Sequence, residues 1–166
     1  VVLAAAARGV PVVSEIELFA WGVRQLTPQA KIIAITGSNG KTTTTTLVAY
    51  LLNTVGIPAV ACGNISPSAL DALMAVQDGA SGYPSLPQVW VLELSSFQLK
   101  LLEVSPRVAA VLNVTPNHLD VHPSMEDYIW SKENIVRYQR DDDWAVFGAD
   151  NDVTQLMAER APGQIM

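Results

Sequence analysis

The segment Thr36-Gly37-Ser38-Asn39-Gly40-Lys41-Thr42-Thr43 restricts this chain more than any other. It follows Ile32-Ile33-Ala34-Ile35, a short β-branched apolar run of the kind covered on both faces in a parallel sheet. After it comes a pattern that reads as a helix from about Lys41 to Asn53. A Gly-rich turn between a strand and a helix N-terminus is suited to wrapping a phosphate. Gly37 and Gly40 let backbone N–H groups turn inward, Lys41 reaches the β- and γ-phosphates, and the Thr42 hydroxyl is a Mg²⁺ ligand by type. Ser38, Asn39 and Thr43 complete the candidate nucleotide-binding loop, whereas Thr44 to Thr46 read as packing or solvated residues of the first helical turns. Ile35 occupies the place of the first Gly in the general G-x-x-x-x-G-K-[ST] pattern, which excludes a simple GTPase.

The remaining periodicity fits a domain built around that turn. Apolar runs at Ile57 to Ala61, Val89 to Leu94, Val108 to Asn113 and Trp144 to Phe147 predict strands. Helical stretches are predicted near Ser68 to Val76 and Met125 to Gln139. Strand and helix in alternation give an α/β class, a mainly parallel sheet with flanking helices. Within the first helix Leu47, Tyr50, Leu51 and Val55 are spaced to cover one face, and Gly56 ends it.

Upstream, residues 1 to 8 predict an Ala-rich helix stopped by Gly9, Val10 to Val13 a brief strand, and Glu15 to Trp21 another helix. Thr27-Pro28-Gln29 carries turn chemistry and reads as a linker. The expected organisation is therefore residues 1–27 as the βα tail of a preceding domain and 28–166 as a nucleotide-binding domain. A start at Val1 and an end at Gly163-Gln164-Ile165-Met166 read as a piece of something longer, incomplete at its C-terminal end. Tyr83 to Gln88 is a loop.

Composition narrows the partners. Hydrophobic residues make up 49% of the chain, enough for a core, while charged residues make up 16% and the net charge is -6 without a Lys/Arg block. That pattern argues against nucleic acid, yet leaves a phosphorylated small substrate open, because such ligands are held by local cations and backbone amides. The single Cys62 forms no internal disulfide and reads as a small buried hydrophobe, in keeping with a cytoplasmic location. Val1 to Ala7 is too short to cross a membrane and has no basic flank ahead of it, so no membrane insertion is expected.

Two further strand ends carry candidate chemistry. Glu93 closes the run Val89-Trp90-Val91-Leu92, and a carboxylate there is costly to bury unless a cation meets it. Ligands of open α/β sheets collect at the carboxyl ends of strands, where the first strand also delivers its phosphate loop, so Mg²⁺ is the natural partner of Glu93. Asn113-Val114-Thr115-Pro116-Asn117-His118-Leu119-Asp120 brings His118 to the same edge. His122 reads as a hydrogen-bonding loop residue.

In order and spacing, TGSNGKTTT (36–44), GNI (63–65), LELSSFQL (92–99), NVTPNHLD (113–120) and SKENI (131–135) resemble the Mur ligases. Ser14 to Phe19 and LELSSFQL look most like the branch of that family that adds D-glutamate. The resemblance runs over almost the whole chain. It implies the central ATP-binding domain of an ATP-dependent ligase that joins D-glutamate to UDP-N-acetylmuramoyl-L-alanine through an acyl phosphate, in peptidoglycan precursor synthesis. It further implies that Lys41 holds the β- and γ-phosphates and that Thr42 and Glu93 hold one Mg²⁺. His118 helps hold a second ion, and Lys132 matches a lysine that is carbamylated into a Mg²⁺ ligand. Asn64 matches a position near the transferring phosphate and the muramoyl substrate, and Ser95 and Gln98 match substrate contacts. Asn117 departs from the pattern, which usually has Asp there, and so changes the charge beside His118. A preceding uridine-binding domain, a monomeric protein and little ligase activity from these residues alone are also implied. Another Mur ligase, a folylpolyglutamate synthase, and a catalytically silent nucleotide-binding module stay open as alternatives.

Overall fold

The computed structural model describes residues 2–117 and 121–166. In chain order the elements are α1 (Val2–Ala6), α2 (Glu15–Leu26), β1 (Lys31–Thr36), α3 (Lys41–Thr54), β2 (Ala59–Gly63), α4 (Ala69–Gln77) and β3 (Val89–Glu93). They continue with α5 (Ser96–Leu99), β4 (Val108–Val111), α6 (Met125–Arg137), β5 (Trp144–Phe147), α7 (Asp152–Ala158) and β6 (Gln164–Ile165). The strands form a six-stranded sheet in the order β2-β3-β1-β4-β5-β6, every pairing parallel. The expected α/β class with a parallel sheet is what the chain adopts.

This order places the site. β1 lies between β3 and β4, and the chain switches sheet direction after β3. The loops leaving β1, β3 and β4 therefore meet at one edge of the sheet, at the point where such folds bind ligands. β3 is buried along its whole length, and its pleat divides the core. Val89 and Val91 join Ile35, Ala49 and Ala59 on the α3 side. Trp90 and Leu92 join the larger cluster on the opposite side, with Phe19 of α2, Leu73 of α4, Ile135 of α6 and Met157 of α7.

Several elements differ from the sequence expectations. Val10 to Val13 is not a strand; Val10 and Val12 are each 52% exposed, and an apolar run becomes a strand only beside a partner ladder. α2 runs on to Leu26, past the expected Trp21, and starts at a capping box. The Ser14 hydroxyl accepts from Glu17 N at 3.1 Å while Glu17 Oε2 accepts from Ser14 N at 3.0 Å. Ile16, Phe19 and Val23 of this helix lie in the same core as the sheet, with the Phe19 and Trp90 rings edge to face at 5.1 Å. β2 begins two residues later than expected, at Ala59. α5, α7 and β6 had no counterpart in the sequence reading.

The expected face of α3 is the wrong one. Leu47, Tyr50, Leu51 and Val55 are 50, 66, 54 and 72% exposed, and Thr45 and Ala49 are buried against the sheet with Val48 and Leu52 beside them. The phosphate loop fixes the helix's rotation about its axis, and small residues then let it lie close to β1 and β3. Among the described residues no helix is long and apolar enough to cross a membrane.

Candidate nucleotide and metal site

The loop between β1 and α3 is clamped onto the end of β4. Ser38 N donates to Asn113 O at 2.9 Å, and the Asn113 side chain accepts from Asn39 N at 2.9 Å and donates to Asn39 O at 3.1 Å. The Ser38 hydroxyl donates to Thr115 O and accepts from Thr115 N, both at 2.9 Å, and stands 3.1 Å from the Tyr128 hydroxyl. Gly37 permits this approach, since a Cβ there would come 3.1 Å from that of Leu112. Gly40, at φ 82°, turns the chain into α3 as an N-cap without a side-chain hydrogen bond. The first N–H groups of α3 are left free of side-chain caps in this way, as a helix N-terminus that receives an anion requires.

Lys41 folds back over the loop, donating to Gly37 O at 3.0 Å and Ser38 O at 3.3 Å. Lys132, from α6, meets the same carbonyl: its Nζ donates to Gly37 O at 3.1 Å and to Thr36 Oγ1 at 3.3 Å. It is 1% exposed and lies 4.7 Å from the centre of the Tyr128 ring. Burial, and secondarily the Lys41 charge, push its pKa down to about 7. Burial also raises the Tyr128 hydroxyl, against a lowering hydrogen bond from Ser38.

Glu93 is 2% exposed at the end of β3. Its Oε2 accepts from the Thr42 hydroxyl at 2.7 Å and its Oε1 from Asn64 Nδ2 at 3.0 Å. Gly63 makes this closeness possible: with φ 114°, a Cβ would lie 2.3 Å from Glu93 O, and Asn64 N donates to that same oxygen at 2.8 Å. Among the described residues the carboxylate meets only neutral donors, and a buried carboxylate so held is costly unless a cation meets it. A hydroxyl and a carboxylate are the hard oxygen donors that Mg²⁺ takes, with phosphate and water oxygens completing its shell. The pair fits that ion, although no group of three or more His, Cys, Asp or Glu side chains is gathered among the described residues.

The structure thus brings Lys41, Thr42, Glu93, Asn64 and Lys132 around one loop, and leaves Ser95 and Gln98 one turn further on. Those two cap α5: Ser95 Oγ accepts from Gln98 N at 3.3 Å, and Gln98 Oε1 accepts from Ser95 N at 3.0 Å. His118 lies outside the described residues. Sequence reasoning missed Asn113 and Tyr128 as partners of the loop; a polar residue just past an apolar strand was the available signal for the first, and nothing local marked the second. Cys62 is buried in β2 as expected, its thiol pushed up to about 12 by burial and then by Glu15.

Comparison with known proteins shows the family. Residues 35–165 match the family described as Mur ligase middle domain. UDP-N-acetylmuramoylalanine-D-glutamate ligase of Dechloromonas aromatica is 54% identical over 149 residues, covering 85% of this chain and 32% of the relative. The enzyme of the same name from Acetivibrio thermocellus is 45% identical over 165 residues, 99% of this chain and 33% of its own. Among solved structures, MurF from Acinetobacter baumannii superposes with a TM-score of 0.69 at 26% identity, over 90% of this chain and 33% of that one. The chain spans about a third of the length of the curated relatives it matches. With the loop, the strand order and the family match in agreement, this chain belongs to the Mur ligase family, whose middle domain it carries.

Proposed function

We propose that the protein bearing this chain is an ATP-dependent ligase that adds D-glutamate to UDP-N-acetylmuramoyl-L-alanine. The observation that carries the reading is the buried Glu93 carboxylate hydrogen-bonded to Thr42 beside an uncapped Gly-rich loop; the likeness to D-glutamate ligases supplies the substrates. In this reading residues 1–27 trail from a preceding uridine-binding domain, with α2 docked on the sheet, and 28–166 form the ATP-binding domain. The protein works as a cytoplasmic monomer, and this chain alone has little ligase activity.

A free carboxylate resists attack by an amine because its oxygen leaves poorly. Transfer of the γ-phosphoryl group of ATP to it creates an acyl phosphate, which the D-glutamate amine then displaces, releasing phosphate. Gly37, Ser38, Asn39, Gly40, Thr42 and Thr43 hold the phosphates through backbone and hydroxyl groups, and Lys41 swings from Gly37 O to the β- and γ-oxygens. Thr42 and Glu93 hold one Mg²⁺, which when bound supplies charge neutralisation at the transferring phosphoryl group. Asn64, hydrogen-bonded to Glu93, is assigned to the transferring phosphate and the muramoyl substrate, and Ser95 and Gln98 to contacts with that substrate.

Lys132 is assigned to carbamylation, helping with His118 to hold a second ion. Carbamate formation joins a neutral amine nitrogen to the carbon of CO₂ and releases a proton. A pKa near 7 leaves a large neutral fraction at neutral pH, where an ordinary lysine has almost none.

The test is phosphate release by the full-length protein with ATP, Mg²⁺ and UDP-N-acetylmuramoyl-L-alanine, adding D-glutamate, L-lysine or meso-diaminopimelate separately. Release that depends on D-glutamate is expected. Stimulation by another amino acid moves the protein to a sister ligase, and no stimulation by any removes the ligase reading.

A further inference from the structure

His122 lies in the connection ahead of α6, yet it is 2% exposed. Both ring nitrogens are engaged. Nδ1 is 2.6 Å from Asp127 Oδ2, and Nε2 is 2.9 Å from the Ser96 hydroxyl. A carboxylate only accepts, so Nδ1 carries the proton of the Asp127 bond, and Nε2 shares a hydrogen bond with the Ser96 hydroxyl. Asp127 is itself fixed: Ser124 Oγ accepts from its backbone N–H at 3.2 Å, and Lys100, which closes α5, donates to its carboxylate at 3.0 and 3.1 Å.

The imidazole ring also packs. It stacks on Phe97 at 5.4 Å and meets the Tyr128 ring edge-on at 5.1 Å. Tyr128 in turn reaches Ser38 of the phosphate loop. α5 has four residues, too few to hold an orientation by its own hydrogen bonds. Asn134 Nδ2 secures its far end through Leu99 O at 3.0 Å, and His122 secures its start through Ser96.

We propose that His122 is a positioning residue that pins the start of α5, with Ser95 and Gln98, at a fixed place relative to the phosphate loop. It thereby sets affinity for the acceptor substrate without touching the nucleotide. This rests on the functional reading above for the identity of that substrate.

The two nitrogens can be separated by substitution. The amide of Gln falls near Nε2 and keeps the Ser96 bond; that of Asn falls near Nδ1 and keeps only the Asp127 bond. In the full-length protein, His122→Asn is expected to raise KM for UDP-N-acetylmuramoyl-L-alanine about 5- to 10-fold, the worth of roughly one buried hydrogen bond. KM for ATP should stay within about 2-fold, and His122→Gln should restore the muramoyl KM. Ser96→Ala removes the same bond with His122 intact and should repeat the shift, which covers an Asn variant that does not fold. Equal effects of Asn and Gln, or an ATP KM that rises in step, overturn the proposal. If the unsubstituted protein does not turn over this substrate, the functional reading falls. Amide hydrogen exchange over Ser96 to Leu99 then decides the role of His122, faster exchange in Asn than in Gln supporting it and equal exchange overturning it.

Discussion

Glu93 and Lys132 are an acidic and a basic side chain buried at the same edge of the sheet and held by different means. Glu93 has two neutral donors directed at its oxygens, whereas the Lys132 ammonium has a carbonyl, a hydroxyl and a ring face, with Lys41 on the same carbonyl. The lysine's folded pKa, about 7, is below its ordinary value of 10.5. The unfolded chain therefore binds more protons between those values, and stability from this group rises as pH climbs through that window and is lost as pH falls towards 7. Between about pH 7 and about pH 9 the gain should be on the order of 2 kcal/mol. Urea unfolding of the unmodified protein and of Lys132→Met at both pH values checks it; parallel pH dependences would remove the effect. Gly63 gives a second residue-scale prediction. With φ 114° and a Cβ 2.3 Å from Glu93 O, Gly63→Ala should cost more than about 2 kcal/mol. Gly79→Ala, also at positive φ but with nothing within 4 Å of its Cβ, should cost about 1 kcal/mol in the same denaturation experiment. Thr42 and Glu93 were legible in the sequence because each sits at a strand or helix end that the apolar pattern marks. Tyr128 was not, since its partner Ser38 lies 90 residues away and no local pattern encodes that pairing.

At the scale of elements, the central strands were legible for a related reason. β1, β3 and β4 are short apolar runs beside turns; β3 is buried at every position, and β1 and β4 are buried or half-buried after the exposed Lys31, which leaves a continuous apolar signal. α3 shows where that kind of reading stops: helical spacing located the helix but chose the face with the largest apolar residues. The buried face uses Thr45 and Ala49 because the helix must sit close to the strands while Lys41 and Thr42 face the ligand edge. Leu47→Ala and Leu51→Ala should therefore change stability by less than about 0.5 kcal/mol. Ala49→Leu, which overfills the contact with the sheet, should cost about 1 to 3 kcal/mol. Thermal unfolding of the three variants tests the assignment of faces, and a larger loss at Leu51 than at Ala49 would reverse it. Val10 to Val13 failed from the opposite side, having strand composition without a strand to pair with. β6 pairs only through Gln164 and Ile165, and α5 is a single turn; elements this short are set by their neighbours rather than by their own periodicity.

For the whole molecule the question is where the folding unit begins. Sequence punctuation at Thr27-Pro28-Gln29 suggested a boundary, and the turn is there, but the core crosses it. Ile16, Phe19 and Val23 are 4, 0 and 2% exposed against the sheet, and the Trp90 indole lies 3.4 Å from the Thr27 hydroxyl to which it donates. Burying three such side chains is worth roughly 5 to 9 kcal/mol, an upper figure because the unfolded chain is already partly compact. That is comparable with the about 5 to 15 kcal/mol that holds an entire domain. Removing residues 1–13 should leave the cooperative transition nearly unchanged, since that segment contributes exposed side chains such as Val10 and Val12 and leaves the Ser14 cap in place. Removing residues 1–26 should abolish it, because Trp90 loses the Phe19 ring packed on it and the cluster they share loses Ile16 and Val23 as well, so apolar surface opens to water. Calorimetry and near-UV circular dichroism of the two truncations distinguish these outcomes. A cooperative transition surviving in the shorter chain would mean that α2 is an attachment to the sheet; its loss would mean that the sheet folds only with α2 in place, so that a helix lying before the Thr27-Pro28-Gln29 turn serves as part of the core.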